Sequence, residues 1–153
     1  MRRLRYENGP LDRTDEQLLL ALSENGRASI ADLARRVGLS SPSVSERLKR
    51  LEEAGIVTGY AARIDAAALG CRIGAWLRIR PIAGKLKETA AILEAAPEIV
   101  SCDRITGDDC FLAKAQVPDI ADLEPLIDKI NQVASTNTSI IQSTIVAPRL
   151  PSF

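Results

Sequence analysis

Five cations, Arg35, Arg36, Arg47, Lys49 and Arg50, fall within sixteen residues of this chain, against the single acid Glu46. That local excess of +4 sits in a chain of 153 residues whose 20 basic and 20 acidic side chains otherwise cancel. Clustered cations suit phosphate, because they displace the counterions condensed along a nucleic-acid backbone. They equally suit a solvated helix face, and charge alone does not separate the two readings. Three serines, Ser41, Ser43 and Ser45, precede or interleave with the last three cations. Hydroxyls both donate and accept, so they can meet base edges as well as phosphate oxygens.

Other chemistries are narrowed by what the chain lacks. It contains no histidine, the usual general base and the commonest metal ligand, so neither a metal nor a cofactor is expected. The three cysteines, Cys71, Cys102 and Cys110, show no CxxC spacing and cannot all pair with one another. No apolar h-region follows the basic start MRRLRYENGP, and no run of apolar residues is long enough to span a membrane. The cysteines are therefore expected to be reduced thiols in a cytoplasmic protein.

The basic cluster needs elements to hold it. Residues 1–10 read as a flexible arm punctuated by Asn8-Gly9-Pro10. Thr14 and Gln17 have the spacing of a capping box, followed by the stripe Leu18, Leu19 and Leu22 and a stop at Asn25-Gly26. A second helix starts at Ser29, buries Ile30, Leu33, Ala34 and Val37, and ends at Gly38. In the third helix Ser41 is expected to cap and Pro42 to take the first helical position. Val44, Leu48 and Leu51 then share one inward face, which leaves Ser43, Arg47, Lys49 and Arg50 off it. Ile56 to Ile64, with a turn at Gly59, reads as a two-stranded wing. Residues 11–64 thus form a winged helix-turn-helix whose third helix would enter a major groove, and residues 65–71 form a linker. The same three helices would also serve as a packing module without DNA.

From residue 72 to 153 the period changes. Ile73, Ala75, Leu77 and Ile79 alternate with Arg72, Trp76, Arg78 and Arg80, the pattern of a half-buried strand ending at Pro81. A helix over residues 84–96, strands in IVSCDRIT and CFLAKAQV, a helix capped by Asp119 or Asp122, and a strand in TSIIQSTIV follow. The order β-α-β-β-α-β is ferredoxin-like, so the chain as a whole is α+β. Both helices cover one sheet face; the other, bearing Trp76, is expected to meet a second subunit. Two cores of roughly 60 to 80 residues are small enough to gain from such association.

The whole chain from Leu11 to Val146 resembles the Lrp/AsnC, or feast/famine, transcriptional regulators. The resemblance is carried by LDRTDEQLLLALSENGRASIADLARRVGLSSPSVSERLKRLEEAGIVTGYAARID, by RITGDDCFLAKAQV and by STNTSIIQSTIV. It implies binding to double-stranded DNA, a homodimer formed through the sheet and assembling to a tetramer or octamer, and no catalytic role. It implies a small-molecule effector, an amino acid or related metabolite, held between sensor domains of adjacent dimers. The pocket residues it implies are Gly107, Asp108, Asp109 and Cys110, with Thr136, Asn137, Thr138 and Ser139. Where the family's turn commonly reads G-x-Y-D, this chain has Gly107-Asp108-Asp109-Cys110, so the aromatic is absent and a thiol replaces the acid. Cys110 is then either a thiol-sensitive element of the site or an inert buried residue. Without the resemblance, the first group would read as a hairpin turn and the second as a polar helix-to-strand loop. Two rival functions share the architecture: a sirohaem decarboxylase, which would want histidines, and an amino-acid-binding protein without DNA.

Overall fold

The computed structural model describes residues 5–6 and 9–151; residues 1–4 and 7–8 of the expected arm, and 152–153, lie outside them. Within the arm the backbone of β1 (Arg5–Tyr6) pairs antiparallel with β2 (Gly9–Pro10), so the expectation of a wholly loose segment is corrected there. The chain divides into two compact units, Met1–Arg63 together with Ala147–Phe153, and Ile64–Val146.

Three helices build the first unit: α1 (Arg13–Glu24), α2 (Ile30–Val37) and α3 (Ser41–Glu53). The capping box of α1 is Asp12 with Asp15, not Thr14 with Gln17. A carboxylate accepts from the free N–H groups and also complements the positive end of the helix dipole, which a threonine hydroxyl does not. Ser29 and Asp32 cap α2 reciprocally, as expected, and Gly38 closes it at φ 71°, a left-handed conformation natural to glycine. The cap of α3 is Ser40, one residue earlier than expected, which places Ser41 and Pro42 at its first two positions. Neither first-turn N–H has an intrahelical acceptor, so the proline still costs nothing. Leu18, Ala21, Leu33, Ala34, Val44, Leu48 and Leu51 are the buried core of the three helices.

No strand forms across residues 56–64, so the expected two-stranded wing is corrected to an unpaired segment. Its start is tied down by the Ile56 and Val57 amides, both donating to the Leu51 carbonyl. Beyond Gly59 the chain offers Tyr60-Ala61-Ala62-Arg63, with two alanines and only one residue favoured in strands, and an isolated hairpin is marginal in any case.

In the second unit, β3 (Ile73–Pro81), β4 (Ile99–Arg104), β5 (Phe111–Val117) and β6 (Ala134–Ile140) form one antiparallel sheet in the order β4-β5-β3-β6. This is the ferredoxin-like topology. Alternation along β3 and β5 sends Ala75, Leu77, Ile79, Phe111, Ala113, Ala115 and Val117 to one face. There they meet Leu93 of α4 (Leu86–Ala95) and Leu123, Leu126 and Ile130 of α5 (Leu123–Asn131). Asp119 caps a single 3-10 turn, Ile120–Asp122, that leads into α5. Pro125 falls in the first turn of α5, where no backbone donor is missed.

The last strand differs from its expected position. It starts at Ala134, opposite Pro81, and ends at Ile140, opposite Ala75. Its partner limits its length: β3 begins at Ile73, opposite Gln142, so Ser143 to Val146 find no strand beside them despite their β-branched content. Thr136 to Ser139 consequently lie inside a strand and not in a loop.

Candidate functional site

The outer surface of α3 is the first candidate. Val44, Leu48 and Leu51 are buried, which turns Ser41, Ser43, Ser45 and Lys49 outward, all exposed. Ser43 shares a 2.8 Å hydrogen bond with the capping Ser40 hydroxyl. The hydroxyls of Ser41 and Ser45 have no hydrogen-bond partner among the described residues. Ser43, Glu46, Arg47, Lys49, Arg50 and Glu53 border an open groove of about 710 Å³ along the helix.

The arginines of α3 behave differently from the serines. Asp15 of α1 is fully buried, and both arginines converge on it. Arg47 Nη1 donates to Asp15 Oδ1 at 2.9 Å and to Asp12 Oδ2 at 2.6 Å. Arg50 Nη2 donates to the two Asp15 oxygens at 3.2 and 3.0 Å. The Asp12 backbone N–H adds a further donor to Asp15 at 3.2 Å. Burial by itself would raise the pKa of Asp12. The Asp15 amide and the Arg47 guanidinium outweigh it and hold Asp12 below its ordinary 3.8. On α2, Arg35 pairs with Asp32, and Arg36 Nη1 reaches Glu24 at 2.6 Å. Lys49 is left with only a loose contact, 3.7 Å to Glu53. Behind the helix, the Tyr60 hydroxyl donates to Glu52 at 2.7 Å; burial first, and this carboxylate second, push its pKa up to about 12.

The second candidate lies on the open face of the sensor sheet. A cavity of about 390 Å³ is lined by Arg78, Arg80, Asp108, Asp109, Ser135, Thr136 and Asn137. The strand register explains the meeting: Arg78 stands opposite Asn137 and Arg80 opposite Ser135, while the turn after β4 brings up the two aspartates. Gly107 makes that turn at φ 108°, and the Ile105 amide closes it on the Cys110 carbonyl at 2.9 Å. Of the eight residues implied for an effector pocket, Asp108, Asp109, Thr136 and Asn137 line the cavity. Thr136 does so with its hydroxyl already donating to Asn131 Oδ1 at 3.1 Å. Thr138 pairs with Leu77 and Ser139 with Trp76, further along the strand. Cys110 packs partly buried against the sheet core, and its amide donates to the Ile79 carbonyl at 3.0 Å.

Comparison with known proteins agrees with both halves. A winged helix-turn-helix DNA-binding family model matches residues 11–58, and the Lrp/AsnC ligand binding domain matches residues 75–151. The HTH-type transcriptional regulator LrpA of Mycobacterium tuberculosis is 35% identical over 93% of this chain and 97% of its own length. The chain belongs to the Lrp/AsnC family of transcriptional regulators. Among solved structures, Bacillus subtilis LrpC superposes with a TM-score of 0.86 at 29% identity, covering 90% of this chain and 99% of LrpC. A feast or famine regulatory protein from M. tuberculosis in complex with L-methionine gives 0.84 at 33% identity, covering 92% and 98%.

Four residues of this Lrp/AsnC chain that matter here were not singled out from sequence. Asp12 and Asp15 carry no local sign that they reach 32 to 35 residues ahead. Arg78 and Arg80 did carry one: the alternation of β3 already placed them on the open face.

The Asp15 cluster makes a prediction. Asp15→Asn keeps the shape but leaves two guanidiniums without their buried carboxylate. It should cost about 3 kcal/mol in urea unfolding, the low end for a broken buried pair because both arginines keep contact with water. A change within about 0.5 kcal/mol would show the cluster to be incidental. Asp12→Asn retains the cap and removes only the charge. Since Asp12 is held below 3.8, its contribution is present above that value and lost as pH falls through the lower folded one. The stability difference between this variant and the unaltered protein should therefore shrink as pH falls past 3.8 and vanish once it lies below the lower folded value.

Proposed function

We propose that this protein is a cytoplasmic, non-enzymatic regulator that binds a specific double-stranded DNA operator through α3 and is modulated by an amino acid bound at the sensor sheet. One observation carries the reading: a serine-lined helix face with Lys49 at its edge stands free, on a helix rigidly held by its neighbours. The methionine complex of a relative supports an amino acid as the effector. Serine hydroxyls at the N-terminal end of a major-groove helix suit base edges, with Ser41, Ser43 and Ser45 as readers. Lys49 supplies a phosphate contact. Arg47 and Arg50 act mainly through Asp12 and Asp15, which neutralise them and set the helix in place; their unused N–H groups can still graze the backbone.

The protein works as a homodimer through the Trp76 end of the open face of its sheet, leaving the cavity beside Arg80 and the Gly107 turn uncovered. Trp76 is 39% exposed there, and a large exposed aromatic on the uncovered face of a small sheet favours a second copy. Dimers of this type then associate into a tetramer or octamer. A dimer presents two α3 helices to successive major grooves, so its operator should be an imperfect palindrome.

Two tests follow. Lys49→Ala should lower affinity evenly across operator sequences and reduce the slope of log K against log salt by about one. Ser45→Ala should instead relax the base preference at one position by about 1–3 kcal/mol. An unchanged salt slope and an unchanged preference would remove α3 as the reader. For assembly, Trp76→Lys should shift the protein from dimer toward monomer in sedimentation; an unaltered dimer would place the interface elsewhere.

A further inference from the structure

The sensor cavity is unusual in the charges it assembles. Arg78 and Arg80 project from the same face of β3, two residues apart, and both approach Asp109. The separations are 3.8 Å from Arg78 Nε and 3.7 Å from Arg80 Nε, and Arg80 Nη2 lies 3.5 Å from Asp108. None of these contacts is closed as a hydrogen bond, so the N–H donors of both guanidiniums and the acceptors of the carboxylates remain available. The two aspartates are not equivalent. The Asp108 side chain is 90% exposed and screened by water, whereas that of Asp109 is 27% exposed. The Arg78 and Arg80 side chains, 57% and 54% exposed, are partly screened too, so the site holds two cations and two anions of which Asp109 is the least exposed. Ser135 and Asn137, opposite Arg80 and Arg78, add neutral polar groups, and among the described residues no apolar side chain lines the cavity.

From this set we infer that the effector is an acidic amino acid, with two carboxylates and one ammonium. The inference rests on the amino-acid-sensor reading above and narrows it. One carboxylate pairs with Arg78 and the other with Arg80, each through forked N–H donors that match its two oxygens. The ammonium pairs with Asp109. A cavity of about 390 Å³ admits a molecule of this size. Leucine or methionine would bring an apolar side chain to a wall of charges and leave one guanidinium unmatched.

Calorimetric titration of the full-length protein at constant ionic strength tests this, with L-glutamate, L-aspartate, L-glutamine, L-leucine, L-methionine and glutarate as probes. L-glutamate or L-aspartate should bind at least about tenfold more tightly than L-glutamine, since the amide forfeits a charge-assisted pair. Glutarate, lacking the ammonium, should bind correspondingly more weakly than L-glutamate. In Arg80→Gln the preference for L-glutamate over L-glutamine should disappear while the fold, read by circular dichroism, stays intact. Equal or tighter binding of glutamine, leucine or methionine would overturn the acidic class and leave the amino-acid sensor standing. Binding of no amino acid at all would overturn both.

Discussion

A carboxylate with no exposure to solvent, Asp15, must find hydrogen-bond donors inside the protein, and the organisation of the first unit follows from where it finds them. One donor is the amide of its own capping box. The others come from Arg47 and Arg50, on the helix that would face DNA. The beginning of α1 and the middle of α3 are thus locked by charge as well as by the packing of Leu18 against Val44, Leu48 and Leu51. Packing of aliphatic side chains tolerates small slips; a shared carboxylate with directed hydrogen bonds tolerates few. The orientation of the serine face relative to the rest of the unit is set by this contact.

The same contact reshapes the electrostatics. Five cations in sixteen residues suggest a strong positive field, yet all five meet an acid in the folded chain, Arg35, Arg36, Arg47 and Arg50 closely and Lys49 loosely. The net charge of zero is in keeping with that pairing. A surface of this kind attracts DNA weakly and without regard to sequence, so discrimination rests on groups that meet base edges. In the sensor unit the arrangement is reversed. There Arg78, Arg80 and Asp109 approach one another without closing, and charge stays available to a ligand.

Much of this was legible in the sequence, for identifiable reasons. Strict alternation from Ile73 to Arg80 specifies which face of β3 is buried, because a strand has a period of two and a slip would expose every apolar residue. Ser29, Asp32 and Gly38 mark the limits of α2 through local chemistry alone. The misplacements share a cause, which is that the deciding partner is remote or local signals compete. Asp12 displaces Thr14 as the cap because it is also held by Arg47, 35 residues away. β6 runs only where β3 lies beside it, and the polar run Ser135 to Ser139 is a strand for that reason alone. Ile56 to Ile64 had strand-like residues but no partner strand among the described residues. The candidate site divides in the same way: the turn aspartates were readable, while their meeting with Arg78 and Arg80 required the sheet register.

The most direct test of the account is selection of binding sites from a random pool of double-stranded DNA by the full-length protein at physiological salt. An imperfect palindrome should emerge, with half-sites about one helical turn apart or a multiple of it, and with a consensus that blurs when the serines of α3 are replaced by alanine. Recovery of no enriched sequence, or of one indifferent to those serines, would contradict the assignment of α3 as the reading helix.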